Sequence, residues 1–146
     1  MNAIMRFQRD EPEEHAPHVL VIGGDSFGLA VAECLTEGAT VTLVSDRAPP
    51  SDDSGVEFLR RRVADGSHVR SLAEELPDID VVVAVGPDEE VLLIGYLARR
   101  EFDACLVVAG ITDPRTESAF EDTGVDTISL PQLLADGIRE RYRYAA

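Results

Sequence analysis

The chain has 146 residues, with 28 acidic and 13 basic side chains and a formal net charge of −15 at pH 7. A small domain of this charge repels nucleic acid and anionic membrane surfaces, so neither is expected as a partner. No apolar run approaches the ~20 residues of a membrane span, and the start lacks the apolar region of a signal peptide. We therefore expect a soluble, cytoplasmic protein that does not insert into a membrane.

The length fits one domain with a sizeable core. Residues 1–17 are polar and charged and show no apolar period, which predicts a mobile arm ahead of a domain over residues 18–146. Cys34 and Cys105 lie in apolar segments and form no Cys-x-x-Cys pair, so we predict buried, reduced thiols.

The first strongly apolar run, residues 18–22, stops at a pair of glycines, and apolar residues at helical spacing follow. Strand, tight turn and helix N-terminus in this order predict the place where a dinucleotide fold holds a pyrophosphate. The fingerprint of that turn is Gly-x-Gly-x-x-Gly. Gly23 and Gly28 take its outer positions, whereas Asp25 stands at the middle one.

The rest of the chain alternates between helical and strand patterns. Phe27, Val31, Cys34 and Leu35 predict one face of a first helix that ends at Gly38. Further strands are predicted at 40–44, 68–70, 79–85, 104–109 and 125–128. Further helices are predicted from Ser51 or Asp53 to Ala64, from Asp88 to Arg100, from Thr112 to about Asp122, and from Pro131 to about Arg143.

This alternation predicts an α/β fold: a doubly wound, parallel, six-stranded sheet of the Rossmann type with helices on both faces. The glycine turn on the first strand favours the strand order 3-2-1-4-5-6. In this arrangement Arg60, Arg61 and Arg62 lie on a helix and form a solvated face.

A nucleotide on this fold would lie across the carboxyl ends of the strands. Its phosphates would lie over residues 23–28 and its base near Asp46 and Arg47, since Asp46 is close to the position of the acid that meets ribose hydroxyls. The end of the fourth strand would line the other side. The predicted cofactor-binding residues are Gly23, Gly24, Asp25, Ser26, Phe27, Gly28, Asp46, Arg47, Ala84, Val85 and Gly86.

Catalysis and metal binding are not expected. Gly24 to Gly28 also matches the Gly-x-Ser-x-Gly of a hydrolase nucleophile, Ser26, but that motif needs earlier strands and a late histidine, and His68 is the only histidine downstream. A dehydrogenase would need a substrate-binding region for which no residues remain. His15 and His18 lack further ligands at metal-binding spacing, so no metal site is predicted.

An ordered series of motifs resembles the TrkA N-terminal domain, also called the KTN or RCK N-terminal domain, an NAD(P)-binding Rossmann family. The residues that carry the resemblance lie between about 18 and 143. They are Val19-Leu20-Val21-Ile22-Gly23-Gly24 with Gly28, Asp46-Arg47, Val81-Val82-Val83-Ala84 with Gly86-Pro87-Asp88-Glu89-Glu90-Val91, Thr112-Asp113-Pro114-Arg115, Gly124-Val125-Asp126 and Ile128-Ser129-Leu130-Pro131.

The resemblance implies a regulatory module that binds NAD or an adenine nucleotide, forms a homodimer and acts on a membrane potassium transporter subunit. All 13 basic residues are arginine, since the sequence contains no lysine. Acids spread along a chain without lysine resemble the proteins of salt-loving archaea, in which molar salt screens such charge.

The chain departs from the family at residues that matter for the ligand. The family usually has Gly at Asp25 and often a basic residue at Ser26, a Gly-Asp-Ala element after the third strand, and an arginine at Gly110. A carboxylate ~4 Å from a phosphate charge costs ~4 kcal/mol at an effective dielectric of 20, unless a cation intervenes. A second hypothesis follows: a Rossmann domain with a degraded nucleotide site that serves in dimerisation or docking, with a phosphoesterase domain as one candidate partner.

Overall fold

The structure is a computed structural model that describes residues 16–47 and 54–145. Its strands are β1 (His18–Ile22), β2 (Thr40–Ser45), β3 (Val56–Arg60), β4 (Val81–Ala84), β5 (Leu106–Ile111) and β6 (Asp126–Ser129). They form one all-parallel sheet in the order β3-β2-β1-β4-β5-β6, so the predicted fold class and strand order are confirmed. The predicted mobile arm, up to residue 15, lies outside the described residues.

In the described part of the chain, four α-helices and one 3₁₀ helix connect or follow the strands. They are α1 (Asp25–Leu35), α2 (Gly66–Glu75), α3 (Asp88–Glu101), the 3₁₀ helix (Pro114–Phe120) and α4 (Leu130–Ala145). Three acids occupy the first turn of α3 and Arg99 and Arg100 its last turn, the distribution that the helix dipole favours. The segment predicted as a helix from Thr112 is the 3₁₀ helix instead, opened by Pro114.

Two apolar clusters occupy the two faces of the sheet because side chains alternate along each strand. On one face Leu20, Val82 and Val107 pack with α2, α3 and the 3₁₀ helix. On the other face Val21 and Leu43 pack with Ala32 of α1. The sheet is therefore covered by helices on both faces, as predicted.

The third strand is the main correction to the sequence analysis. Residues 56–60 form β3, paired in parallel with β2, and not the helix predicted to reach Ala64. The predicted strand at 68–70 lies inside α2. Asp65 begins that helix, because its Oδ1 accepts hydrogen bonds from the backbone N–H groups of Ser67 at 3.0 Å and His68 at 3.1 Å. Ser51 and Asp53, the proposed caps of the predicted helix, lie outside the described residues.

The buried face of α1 also differs from the predicted one. Gly28 and Ala32 are its buried residues, whereas Phe27 is 46% exposed. Cys34 is exposed, so the prediction of two buried thiols is wrong for this residue. Cys105 is half-buried, and its Sγ–H donates to the carbonyl oxygen of Asp80 at 3.2 Å.

The last helix, α4, packs loosely on the domain. None of its described residues is buried, and its large apolar side chains face solvent: Leu133, Leu134, Ile138, Tyr142 and Tyr144 are 51–79% exposed. Nowhere in the described ranges is a helix long and apolar enough to cross a membrane.

Candidate functional site

A cleft of about 440 Å³ opens at the carboxyl ends of the first four strands. Parallel α/β sheets bind ligands at this edge, in the crevice where the strand order reverses between β1 and β4. The cleft is large enough for a small organic ligand. Its lining residues are Ile22, Gly23, Gly24, Asp25, Val44, Ser45, Asp46, Arg47, Arg61, Arg62, Val63, Ala64, Ala84, Val85, Pro87, Glu90, Val91, Leu93 and Ile94.

The turn after β1 requires glycine for two reasons. Gly23 and Gly24 have φ values of +89° and +84°, in the left-handed region that side chains disfavour. A Cβ on Gly28 would lie 2.0 Å from the carbonyl oxygen of Gly23, so α1 can approach the turn only because Gly28 has no side chain. This close approach brings the N-terminus of α1, with its unpaired backbone N–H groups, to the cleft.

Asp25 stands at the start of α1 and lines the cleft. Its φ is +47°, a left-handed conformation that is unfavourable for a residue with a Cβ. Its carboxylate is paired: Arg47 Nε lies 3.1 Å from Asp25 Oδ1 and 3.8 Å from Asp46 Oδ1. A cation therefore offsets the negative charge that the sequence analysis placed beside the phosphates.

The far side of the cleft contains residues that the sequence analysis assigned to a helix surface. Arg61, Arg62, Val63 and Ala64 connect β3 to α2 and line the cleft. Arg61 forms an ion pair with Glu75 Oε2 at 2.9 Å. Correct assignment of β3 would have found these residues, because the end of every strand in a parallel sheet meets the same edge.

The other predicted site residues divide into two groups. Ala84 and Val85 line the cleft with Gly23, Gly24, Asp25, Asp46 and Arg47. Ser26 and Phe27 are exposed to solvent, and Gly28 is buried against the turn. Gly86 lies just outside the lining, and a Cβ on Gly86 would lie 3.7 Å from the backbone nitrogen of Gly24. The structure thus brings most of the predicted residues together around one space, and their role in binding stays a prediction.

Val85 fills the point where the strand order reverses. A Cβ on Gly24 would lie 2.6 Å from Val85 Cγ2, and a Cβ on Gly110 would lie 3.5 Å from Val85 Cγ1. The Val85 side chain thus lies between the turn after β1 and the end of β5. Leu130 closes the same region from α4, with its Cδ2 3.9 Å from the Cβ position of Gly110.

Asp88, in the first turn of α3, holds the loop after β5. Its Oδ1 accepts from the backbone N–H of Thr112 at 2.8 Å and from its hydroxyl at 2.9 Å; its Oδ2 accepts from Asp113 N–H at 2.8 Å and the Thr116 hydroxyl at 2.9 Å. Burial alone would raise the pKa of Asp88, but these hydrogen bonds to the carboxylate outweigh it and lower the pKa.

The residues around the cleft fit a nucleotide. The glycine turn forms a cradle that a Cβ at Gly28 would destroy, Asp46 offers acceptors for ribose hydroxyls, and Val63, Val91 and Ile94 supply apolar walls for a base. No metal is indicated, because residues 16–47 and 54–145 contain no group of three or more His, Cys, Asp or Glu placed to hold an ion.

Two potassium uptake proteins are similar to this chain in sequence. The Trk system potassium uptake protein TrkA of Mycobacterium tuberculosis is 35% identical over 127 residues, which cover 84% of this chain and 58% of the relative. A TrkA homolog of Methanothermobacter thermautotrophicus is 28% identical over 127 residues, which cover 85% of this chain and 59% of the relative. The chain therefore spans less than two thirds of either relative.

Solved structures share the fold at low sequence identity. The NAD(P)-binding domain of an exopolyphosphatase-related protein from Archaeoglobus fulgidus matches with a TM-score of 0.67 at 20% identity, covering 86% of this chain and 97% of that one. The GsuK channel bound to ADP matches with a TM-score of 0.62 at 14% identity, and the match covers 86% of this chain and 34% of the channel chain. The GsuK channel bound to NAD matches with a TM-score of 0.59 at 16% identity, and the match covers 90% of this chain and 25% of the channel chain.

The family model for the TrkA-N domain matches residues 19–131. This range runs from the second residue of β1 to the first turn of α4 and contains every residue that lines the cleft. It also contains all of the motifs on which the sequence resemblance depends. The chain belongs to the TrkA-N domain family.

Proposed function

We propose that this protein is a nucleotide-binding regulatory module of a potassium uptake system. The observation that carries the proposal is the cleft at the carboxyl edge of the sheet, bounded by the glycine turn on one side and Asp46 on the other. A helix N-terminus for phosphates and a carboxylate for ribose hydroxyls are what a nucleotide needs at this edge. The names of the TrkA relatives support the link to potassium uptake.

The proposed ligand is NAD or an adenine nucleotide. Structures of the GsuK channel with NAD and with ADP support both candidates, because that channel shares the fold. In this chain the phosphates would meet the turn of Gly23 and Gly24. Arg47 offsets Asp25 there by an ion pair of 3.1 Å, which weakens the electrostatic objection to a phosphate at the turn.

The proposed partners are a second copy of this chain and a membrane potassium transporter subunit, and the proposed location is the cytoplasm. The exposed apolar side chains of α4, among them Leu134 at 67% and Ile138 at 51%, favour a protein contact at this helix. The module is proposed to regulate and not to catalyse, because the described residues of the cleft pair Arg47 with Asp25 and Asp46 and place no nucleophile beside a base.

A second candidate function is a Rossmann domain that has lost its ligand and acts in dimerisation or docking, with a phosphoesterase domain as a partner. Two observations favour it. Asp25 adopts a left-handed conformation where glycine would be unstrained, and α4 exposes an apolar face. The NAD(P)-binding domain of the exopolyphosphatase-related protein of Archaeoglobus fulgidus shares the fold, which supports a phosphoesterase domain as the kind of partner.

Nucleotide binding separates the two candidates. Isothermal titration calorimetry and thermal shift in molar potassium chloride should detect binding of NAD, NADH, ATP, ADP or AMP to the regulatory module. Asp46→Ala should weaken binding of the nucleotide with the highest affinity. Asp78 is an exposed acid in the turn before β4, and Asp78→Ala should leave that affinity unchanged. No stabilisation by any of these nucleotides would refute the sensing function and leave the docking module.

A further inference from the structure

The two faces of the sheet are covered unequally. On the face that packs with α2, α3 and the 3₁₀ helix, Val82 of β4 and Val107 of β5 are 0% exposed. Their neighbours Val83 and Val108 point to the opposite face and are only half-buried, and Ile128 of β6 is 41% exposed. Among the described residues, α1 is the helix that packs on this opposite face, and it lies over β1 and β2. The half formed by β4, β5 and β6 is therefore partly open.

The open half of this face is apolar. Residues that pair in neighbouring parallel strands point to the same side of the sheet, so the register identifies the side chains involved. They are Val83, Leu106, Val108 and Ile128, which we call the open half-face. The last helix, α4, does not close it, since none of the described residues of α4 is buried. Because parallel sheets have both faces covered, this surface indicates a contact that the described residues do not supply.

The sequence contains a segment suited to this surface, ahead of the described residues. Residues 1–17 show no apolar period as a whole, but their large apolar side chains are concentrated in residues 1–7, which we call the apolar segment: Met1, Ile4, Met5 and Phe7. Residues 8–15, the polar connection, read Gln-Arg-Asp-Glu-Pro-Glu-Glu-His and contain no large apolar side chain. The order is an apolar segment, a polar connection and then β1.

The polar connection is long enough to bring the apolar segment to the open half-face. The chain enters β1 at the amino edge of the sheet, where the carbonyl oxygen of Pro17 accepts from the Thr40 N–H at 3.0 Å. From β1, the far strand β6 is three strands away, ~14 Å at ~4.8 Å per strand. The polar connection spans up to ~26 Å when extended. Every strand of the open half-face is thus within its reach.

One charge on each side is complementary. Asp126 pairs with Val108 in the register of β5 and β6, so it lies on the same side of the sheet as the open half-face. It is exposed, and its carboxylate bonds no described residue. The apolar segment contains one charged side chain, the cation Arg6. An apolar surface with one acid therefore matches an apolar segment with one arginine, which bonds carboxylates strongly.

We infer that the apolar segment, residues 1–7, docks on the open half-face of its own chain, with its apolar side chains over β5 and β6 and Arg6 beside Asp126. The segment completes the cover of the face that α1 covers over β1 and β2. This contact lies apart from the cleft, which opens at the carboxyl edge of the sheet. It leaves the exposed side chains of α4 to the second copy proposed above.

Disulfide trapping in the full chain tests the docking. We would combine Ile4→Cys with Ile128→Cys, in a chain that also carries Cys34→Ser and Cys105→Ser, and oxidise the protein at low concentration. The matched control combines Ile4→Cys with Tyr96→Cys, since Tyr96 is 48% exposed but lies on α3, across the sheet. The disulfide with position 128 should form at least about tenfold faster than the one with position 96, because docking raises the local concentration of the thiol.

The mass of the oxidised product identifies the occupant of the open half-face. A monomer with an internal disulfide at position 128 supports docking within one chain. A disulfide-linked dimer would assign the surface to the apolar segment of a second copy and overturn the inference. Equal rates for the two cysteine pairs would also overturn it, because the apolar segment would then have no preference for this face.

Charge reversal provides a second test with the native cysteines. Asp126→Arg should lower the melting temperature, and adding Arg6→Glu should recover at least about half of the loss, since the pair is restored with its signs exchanged. Arg9→Glu in the polar connection is the matched control and should recover none. Thermal unfolding at the lowest potassium chloride concentration that keeps the parent folded limits screening. Equal recovery by both reversals, or by neither, contradicts the placement of Arg6 beside Asp126; if the cysteine variants do not fold, this comparison decides alone.

Discussion

Arg47 Nε lies 3.1 Å from Asp25 Oδ1, so the acid that breaks the glycine fingerprint is paired with the cation that follows Asp46. Both side chains remain more than two thirds exposed, at 69% and 68%. An exposed pair of this kind contributes only ~0.2–1 kcal/mol to folding. The main effect of this ion pair is therefore on the net charge that a ligand meets at the turn.

Replacing the cation should weaken nucleotide binding with little effect on stability. In Arg47→Gln, Asp25 loses its partner and repels the phosphate, and we expect the dissociation constant of the best nucleotide to rise about tenfold. Arg70→Gln is the control, since Arg70 pairs with Glu101 away from the cleft. Isothermal titration calorimetry measures the effect, and equal affinities for the two variants would exclude Arg47 from phosphate binding.

Replacing the acid should have the opposite effect. Asp25→Gly removes a carboxylate from the turn and relieves a φ of +47°, so nucleotide affinity and melting temperature should both rise. Asp122→Gly is the control, because Asp122 has a φ of +62° outside the cleft. It should gain stability from the relieved backbone strain, without gaining affinity. A loss of affinity in Asp25→Gly would mean that the carboxylate contacts the ligand favourably.

The contact between α1 and the turn predicts a strongly destabilising substitution. A Cβ on Gly28 would lie 2.0 Å from the carbonyl oxygen of Gly23, a backbone atom that cannot move without shifting β1. Gly28→Ala should lower the free energy of unfolding in urea by about 3 kcal/mol. Gly137→Ala, in α4 with only the flexible end of Arg141 near its Cβ position, should be neutral or stabilising. A small loss of stability in Gly28→Ala would contradict the close approach of α1 to the turn after β1.

The low pKa of Asp88 predicts an acid-dependent loss of stability. Hydrogen bonds to its carboxylate lower the pKa below the ordinary value of 3.8. The unfolded chain therefore binds this proton at a higher pH than the folded chain does. The resulting stabilisation is complete above about pH 5 and is lost as the pH falls through the folded pKa.

Urea unfolding of the parent and of Asp88→Asn at several pH values checks this prediction. The difference between the parent and Asp88→Asn in the free energy of unfolding should be constant from about pH 7 to pH 5 and should shrink below about pH 4. Glu89→Gln is the control, since the Glu89 side chain bonds no described residue, and it should change stability little at neutral pH. A pH-independent difference for Asp88→Asn would show that the hydrogen bonds do not depend on the charge.

The apolar face of α4 predicts the oligomeric state. If a second copy covers this helix, Leu134→Glu and Ile138→Glu should convert dimers into monomers, because each places a charge in an apolar contact. Glu140→Gln, at an exposed polar position of the same helix, should leave the dimer intact. Light scattering coupled to size-exclusion chromatography in molar potassium chloride measures the mass. A parent chain that is monomeric at all concentrations would refute the dimer.

The strand order could be predicted because β1 and its glycine turn, the nearly continuous valine of β4 and the alternation of later elements all carry strong local patterns. The position of β3 could not be predicted from the sequence. Its residues, Val56-Glu57-Phe58-Leu59-Arg60, form a short edge strand whose alternation leads into an arginine run typical of a solvated helix. That error also hid Arg61 to Ala64 from the predicted site. Local sequence identified Asp25 as the anomaly but gave no sign that Arg47 pairs with it, since that contact depends on the packing of β1 against β2.

The four hydrogen bonds to Asp88 also affect hydrogen exchange along the edge of the sheet. They fix the amides of Thr112 and Asp113 to a helix that begins one strand away, so β4, β5 and the first turn of α3 should open together as one cooperative unit. The glycine turn and the loop after β3 lie outside that unit. A ligand that enters the cleft should therefore slow amide exchange on the side of β1 to β3, and β5 with the loop after it, which do not line the cleft, should provide a reference within the same molecule.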